Sequence, residues 1–260
     1  MIISLLGAES TGKSTLAAAL HHHLHAALAQ LPPSPDTPEV RHTGEYLREW
    51  CEQHRRTPEA HEQAHIAQVQ TERLKHAQPG FAPTDWVVAD TTPLMTAVYS
   101  EHYFNDSSLY PLARPFHDPK VSARTGGQWP PVTLLLGLDL PWQADGNLRD
   151  GPATQLAVDN LLRHRLTEWQ VPYHTIYGSG HARVAAALRA VAAHMEQLPD
   201  HARPVVVERF NAIKIEALNL YKESDGGEKS FQSSLVCACC DDPASERKLF
   251  SGLMTRRAAA

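Results

Sequence analysis

Apolar residues in this chain come in short unbroken runs, separated by stretches in which they recur every three to four positions. Ile2 to Leu6 is the first such run. It ends at Gly7 and reads as a buried parallel strand. From Lys13 the spacing becomes helical, with Leu16, Leu20, Leu24 and Leu28 forming one stripe. The proline-rich segment 31–38 must end that helix and reads as a surface loop. Val40 to Thr43 is expected as a second strand, and 45–54 and 58–76 as polar helices. Trp86 to Asp90 is a third strand closing on an acid. Residues 93–104 read as a helix with proline at a tolerated early position. Val132 to Leu138 is a fourth strand and 156–169 a helix. Tyr173 to Tyr177 is a fifth strand, followed by an alanine-rich helix over 181–197. Strands alternating with helices predict an α/β fold, a doubly wound and mainly parallel five-stranded sheet with helices on both faces. The alternation fades after Pro199. We therefore read 1–198 as the core domain and 199–260 as a C-terminal extension of unassigned role, in which 223–234 reads as a mobile, glycine-rich stretch.

Composition narrows the field. Apolar residues make up 42% of the 260, enough for a real core, so global disorder is not expected. The net charge of −5 and the lack of a long basic run point to no nucleic-acid partner and no anionic membrane. No stretch approaches the roughly 18 apolar residues of a spanning helix, and no leader is read at the start. Four cysteines, Cys51, Cys237, Cys239 and Cys240, are too sparse for a disulfide scaffold and fit a reducing cytoplasm.

The candidate chemistry starts where the first strand ends. Gly7, Ala8, Glu9, Ser10, Thr11, Gly12, Lys13, Ser14 and Thr15 match the pattern G-x-x-x-x-G-K-[ST], between a strand and a helix as a phosphate loop requires. Gly7 and Gly12 let the backbone curl so that successive N–H groups face a phosphate, and the helix offers its positive end. Lys13 would reach the β- and γ-phosphates and Ser14 would ligate Mg²⁺, making ATP and Mg²⁺ the expected cofactors. No Asn-Lys-x-Asp motif is present to read guanine. The class expected is a P-loop NTPase that moves a phosphoryl group to a small acceptor.

Such an enzyme needs a second acid, to hold the metal's water shell or take the acceptor's proton. Asp90, at the carboxyl end of a strand, is the candidate for the metal and for catalysis; the competing reading makes it the N-cap of the next helix. Glu45, Tyr46 and Arg48 follow the second strand where an acceptor would approach. They can equally be a solvated helix start. The run Pro141-Trp142-Gln-Ala-Asp145-Gly146-Asn-Leu-Arg149 reads as a lid or as an ordinary surface loop. As a lid, Arg149 would neutralise the transferring phosphoryl group and Trp142 would stack on a ring.

Taken together, the loop Gly7–Thr15, Glu45-Tyr-x-Arg48, Asp90-Thr-Thr-Pro-Leu-Met-Thr and Pro141-Trp-x-Ala-Asp-Gly resemble the ribosylnicotinamide kinase domain of the bacterial NAD-biosynthesis regulator and stand-alone ATPases similar to it. The resemblance spans about residues 1–190. It implies 5′-phosphorylation of nicotinamide riboside by ATP to nicotinamide mononucleotide. It also implies Glu45 and Arg48 at the riboside, Trp142 and Asp145 over the base, and Gly178, Gly180 and Arg183 beside adenine. The chain departs from that family where Asn147 and Leu148 stand between Gly146 and Arg149, displacing the arginine, and the loop at 31–38 and the tail from 199 have no counterpart there. Two readings compete: a kinase for another nucleoside-like small molecule, and a nucleotide-dependent switch with slow ATPase activity. A homo-oligomer stays open.

Other signals carry less. His61-Glu62-Gln-Ala-His65 has the H-E-x-x-H spacing of zinc proteases, but it sits among 16 histidines with no third ligand behind it. His21 and His25 share a helix face. The Cys237, Cys239 and Cys240 cluster lacks the paired spacing of a zinc site.

Overall fold

The computed structural model describes residues 1–29, 39–77, 85–124, 131–144 and 150–196. The extension from 199, Asp145, Arg149 and the loop at 31–38 lie outside them. Five strands, β1 (Ile2–Leu6), β2 (Val40–Thr43), β3 (Trp86–Ala89), β4 (Val132–Leu136) and β5 (Tyr173–Ile176), form one sheet in the order β2-β3-β1-β4-β5. Every pairing is parallel. This is the expected α/β, P-loop NTPase arrangement.

Pleating sorts the runs between two faces. Ile3 and Leu5 of β1 and Leu134 and Leu136 of β4 turn to one face. There they meet Leu16, Leu20 and Leu24 of α1 (Lys13–Ala29) and Val184, Leu188 and Val191 of α8 (Gly180–Met195). Each leucine so buried contributes roughly 1.5–3 kcal/mol. The four-residue stripe is thus core along its first three leucines, while His22 and His25 on the same helix face solvent. Leu6 and Leu135 turn to the opposite face, against α4 (Pro93–Phe104) and α7 (Pro152–Glu168). Ile2, Val87 and Ala89 on that side meet Leu74 of α3 (Ala60–His76). The short helix α2 (Tyr46–His54) packs Trp50 and Cys51 on Ile66 of α3.

The structure departs from the sequence expectation in three places. Residues 105–124 hold short elements that the pattern did not show: α5 (Tyr110–Ala113), a 3₁₀ turn (Arg114–Phe116) and α6 (Pro119–Arg124). Prolines 111, 115 and 119 cut this stretch too finely for a periodicity to develop. Helix α7 starts at Pro152, four residues earlier than its apolar spacing suggests, because Gly151 with φ +103 lets the chain turn and Pro152 takes the first helical position. Strands β1 and β2 end where the sequence puts them, while β3, β4, β5 and the last helix end one or two residues sooner than read.

Because β1 is central and its two neighbours continue in opposite directions along the chain, the carboxyl end of β1 is the switch point of the sheet. A crevice opens there, and the loop after β1 occupies it.

Candidate active site

Gly7 is tightly enclosed. A Cβ there would lie 2.8 Å from Thr11 Oγ1 and 3.1 Å from Leu136 Cβ. Gly12 has φ +75, a left-handed backbone suited to glycine, with Leu140 closing in from β4's loop. Thr11 Oγ1 donates to the Ala8 carbonyl at 2.7 Å, bracing the curl from within. Lys13 folds back across the loop: its Nζ donates to the Gly7 and Ala8 carbonyls at 2.7 and 3.1 Å, and the side chain is buried. A cation that bonds the carbonyls of its own loop is placed to exchange them for phosphate oxygens. Ser14 lies in the first turn of α1, and its Oγ is buried without a hydrogen-bond partner.

Asp90 stands across from Ser14. Its main-chain N–H donates to the Thr43 carbonyl at 2.9 Å, joining the ends of β2 and β3. The helix cap falls elsewhere: Thr92 is the N-cap of α4, its Oγ1 accepting from Leu94 N–H at 3.3 Å. The Asp90 carboxyl is therefore not consumed in capping. Its Oδ1 is buried without a partner. Burial, and then the nearby charge of Glu45, push its pKa up to about 6, against the pull of the Ser14 hydroxyl, Lys13 and Arg48. Those five groups share one electrostatic neighbourhood at the carboxyl ends of β1, β2 and β3. The Ser14 hydroxyl influences the carboxylate without closing a hydrogen bond of good geometry, so both are left with capacity to bind a metal ion or its water. Residues and fold thus fit a Mg²⁺–nucleotide.

Glu45 is the N-cap residue of α2 but makes no side-chain cap bond, and its side chain is only 11% exposed. It pairs with Arg48 one turn on, at 3.6 Å. Its carboxyl is therefore neither solvated nor spent on a cap bond, and it lies close enough to Asp90 to raise that group's pKa. Tyr46 is turned away, toward α3. The Arg73 guanidinium lies 4.7 Å over its ring and the His65 ring meets it edge-on at 6.3 Å.

Sequence reasoning missed the residue that joins these loops. Gln70 of α3 is buried. It accepts from Tyr46 N–H at 2.8 Å and donates to the Gly44 and Thr91 carbonyls at 3.1 and 3.5 Å. One amide therefore fixes Glu45 and Asp90 relative to each other. Below it, buried His117 bridges Thr92 Oγ1 at 2.7 Å and Thr133 Oγ1 at 3.0 Å, and burial drops its pKa to about 3. The only sequence signal for Gln70 was its helical spacing from Ile66 and Leu74, on a face that also buries Gln63 and Thr71. For His117 there was none.

The loops after β4 and β5 close the other side. Trp142 is half-buried and its Nε1 ends without a partner. Asp139 accepts from Gly178 N–H at 2.5 Å and meets Arg183 Nη2 at 3.4 Å. Arg183 is itself buried, with Nε and Nη1 unpartnered. The exposed Tyr177 ring covers Gly137, where a Cβ would come within 2.3 Å of it. Gly178 and Gly180, at φ +94 and +48, make the turn that brings α8 up to this point.

The H-E-x-x-H spacing is absorbed by structure. Glu62 forms a capping box with Glu59 and a two-point bond with Arg56, at 2.6 Å each. Among the described residues no group of three or more His, Cys, Asp or Glu is arranged to hold a metal, and no helix is long and apolar enough to cross a membrane. Cys51 is buried, its thiol pushed up to about 12.

A search of curated proteins returns no match to the chain. The family model of an AAA domain matches residues 2–183. That span runs from β1 into α8 and takes in every loop that lines the cleft, so the chain belongs to the AAA-domain family of P-loop nucleotide-binding proteins.

Proposed function

We propose that the protein transfers the γ-phosphoryl group of ATP to a hydroxyl of a nucleoside-like small molecule, and that nicotinamide riboside, accepting at its 5′-hydroxyl, is the substrate to try first. The observation that carries this is the Asp90 carboxyl: buried, raised to about 6, and set between the phosphate-side pair Lys13 and Ser14 and the acceptor-side pair Glu45 and Arg48. Glu45 and Arg48 give an acceptor hydroxyl charged groups to bind beside that carboxyl.

In this reading the loop from Gly7 to Thr15 cradles the phosphates, and Lys13 leaves its two carbonyls to follow the γ-phosphate. Ser14 would ligate Mg²⁺ and Asp90 would hold its water shell, and the ion would supply charge neutralisation at the phosphates. The acceptor oxygen attacks the γ-phosphorus as the bond to the β–γ bridging oxygen breaks. ADP carries away that electron pair, and the acceptor's proton passes to Asp90. A carboxylate raised to about 6 is ionised at neutral pH yet basic enough to take the proton as it is released. Glu45 orients the hydroxyl, and Arg48 holds Glu45 while adding positive charge beside the reacting phosphate. The unpartnered Trp142 indole N–H serves a ring-bearing acceptor. Arg149 and Asp145 belong to the same loop by sequence, as charge neutraliser and base contact. Gly178, Gly180 and Arg183 shape the adenine end.

The test is ADP release from MgATP, alone and with nicotinamide riboside or a panel of nucleosides. Stimulation of tenfold or more by nicotinamide riboside supports the full proposal. Stimulation by a different nucleoside keeps the kinase and moves the acceptor. ATP binding with no stimulation by any acceptor overturns the transferase and leaves a nucleotide-dependent switch.

A further inference from the structure

The chain between β4 and α7 is fastened to the phosphate loop on both sides. Before it enters 145–149, the Gln143 main-chain N–H donates to Ser10 Oγ at 2.8 Å. After it leaves, Gln155 in the first turn of α7, itself buried, donates from Nε2 to the Glu9 carbonyl at 2.8 Å. Nearby, Tyr103 OH donates to Asp150 Oδ2 at 2.7 Å.

The Gln143 and Gln155 anchors grip adjacent residues, one at the Ser10 side chain and the other at the carbonyl of the peptide joining Glu9 to Ser10. A trans peptide is planar, with its N–H opposite its C=O. Drawing the Glu9 carbonyl toward α7 therefore turns the Ser10 N–H away from α7. N–H groups turned inward are what a phosphate loop offers its ligand. Ser10 also has φ +60, a left-handed backbone that a residue with a Cβ adopts only under constraint. Two contacts from outside the loop supply that constraint.

We propose that Gln155 is a positioning residue for the nucleotide's phosphates: its amide holds the Glu9–Ser10 peptide in the orientation that presents the Ser10 N–H to them. The role rests on the reading of Gly7–Ser14 as a nucleotide site. It reaches a residue that the loop motif does not include.

The test measures binding of MgATP and of Mg–tripolyphosphate by calorimetry to the full chain, to Gln155→Met and to Gln155→Leu. Met keeps the length of the side chain and removes the donor. The expected result is a loss of about tenfold in affinity for both probes, because the Ser10 N–H is no longer held toward the phosphates, with Tm within a few degrees. The KM for ATP rises by the same factor while kcat at saturating ATP stays within about twofold. Unchanged affinity in both variants overturns the role, as does a loss confined to ATP, which would put Gln155 at the nucleoside. If both variants fail to fold, Gln155 is a core residue and the role is overturned. If the unaltered chain binds neither probe, the nucleotide site itself fails and takes this inference with it, an outcome distinct from the other three.

Discussion

The phosphate side of the cleft comes from one unbroken run, Gly7 to Ser14, and relies largely on main-chain groups and one cation. The acceptor side comes from three runs far apart in the chain and works through the side chains of Glu45, Arg48, Gln70 and Asp90. On the first side, local sequence dictates geometry: glycine where φ is left-handed or space is absent, threonine to brace the curl, lysine to span it. On the second side no short stretch has meaning alone. Two strands must lie side by side before Asp90 and Glu45 meet, and a third element must supply Gln70. A motif can announce that a nucleotide binds. What the nucleotide does next is decided by parts that only folding brings together.

Changes on each side separate these contributions. The largest effect is expected from Lys13→Ala, which removes the only side-chain cation of the phosphate loop; turnover should fall on the order of a thousandfold in any assay of ADP release. A smaller loss would mean that Arg48 or another cation carries much of the phosphate charge, and would blur the division between the sides.

Asp90→Asn should cost on the order of a hundredfold in kcat, with ATP affinity largely kept. The pH profile gives a sharper test. In the unaltered protein kcat/KM should fall as pH drops through about 6, where Asp90 gains its proton, and the acid limb should vanish in the variant. The same shift predicts stability. A carboxyl raised from 3.8 to about 6 by folding favours the folded state fully below 3.8, and that benefit is lost as pH rises through 6. At pH 8 the asparagine variant should therefore be the more stable, by on the order of 3 kcal/mol, read as a Tm several degrees higher. Near pH 4 the gap should close. An equal Tm at both pH values would show that the carboxylate is not strained.

Gln70→Leu comes next. It should lower kcat about tenfold with ATP affinity unchanged, because it loosens Glu45 against Asp90 and leaves the phosphate loop intact. Stability should also fall, by about 2 kcal/mol, as buried groups lose their partners. Set beside Gln155→Met, which should act on ATP binding alone, this pair assigns one glutamine to each side of the cleft. Equal effects on both parameters in both variants would erase the distinction. The smallest effect belongs to His61→Ala with His65→Ala: activity within about twofold and no dependence on added zinc, since Glu62 is committed to Arg56 and the helix cap.

By itself the sequence determined the fold class and the phosphate loop. The alternation of apolar runs with helical spacing, and the nine residues from Gly7, are both local patterns: a strand or a loop of that kind is specified within its own few residues. It also gave Asp90 and Glu45 as candidates, though each with a rival reading as a helix cap or a solvated residue. Tertiary structure decided between those readings. Thr92 took the cap, which left Asp90 free. Packing of α2 on α3 covered Glu45 and turned Tyr46 to Arg73 and His65. Gln70, Gln155 and His117 gained roles that no spacing foretold, because a buried polar side chain is defined by the partner it reaches, and those partners lie 16 to 146 residues away in the chain. Burial and neighbouring charge set the basicity of Asp90 in the same way, since desolvation is a property of the assembled fold and of no single residue in it.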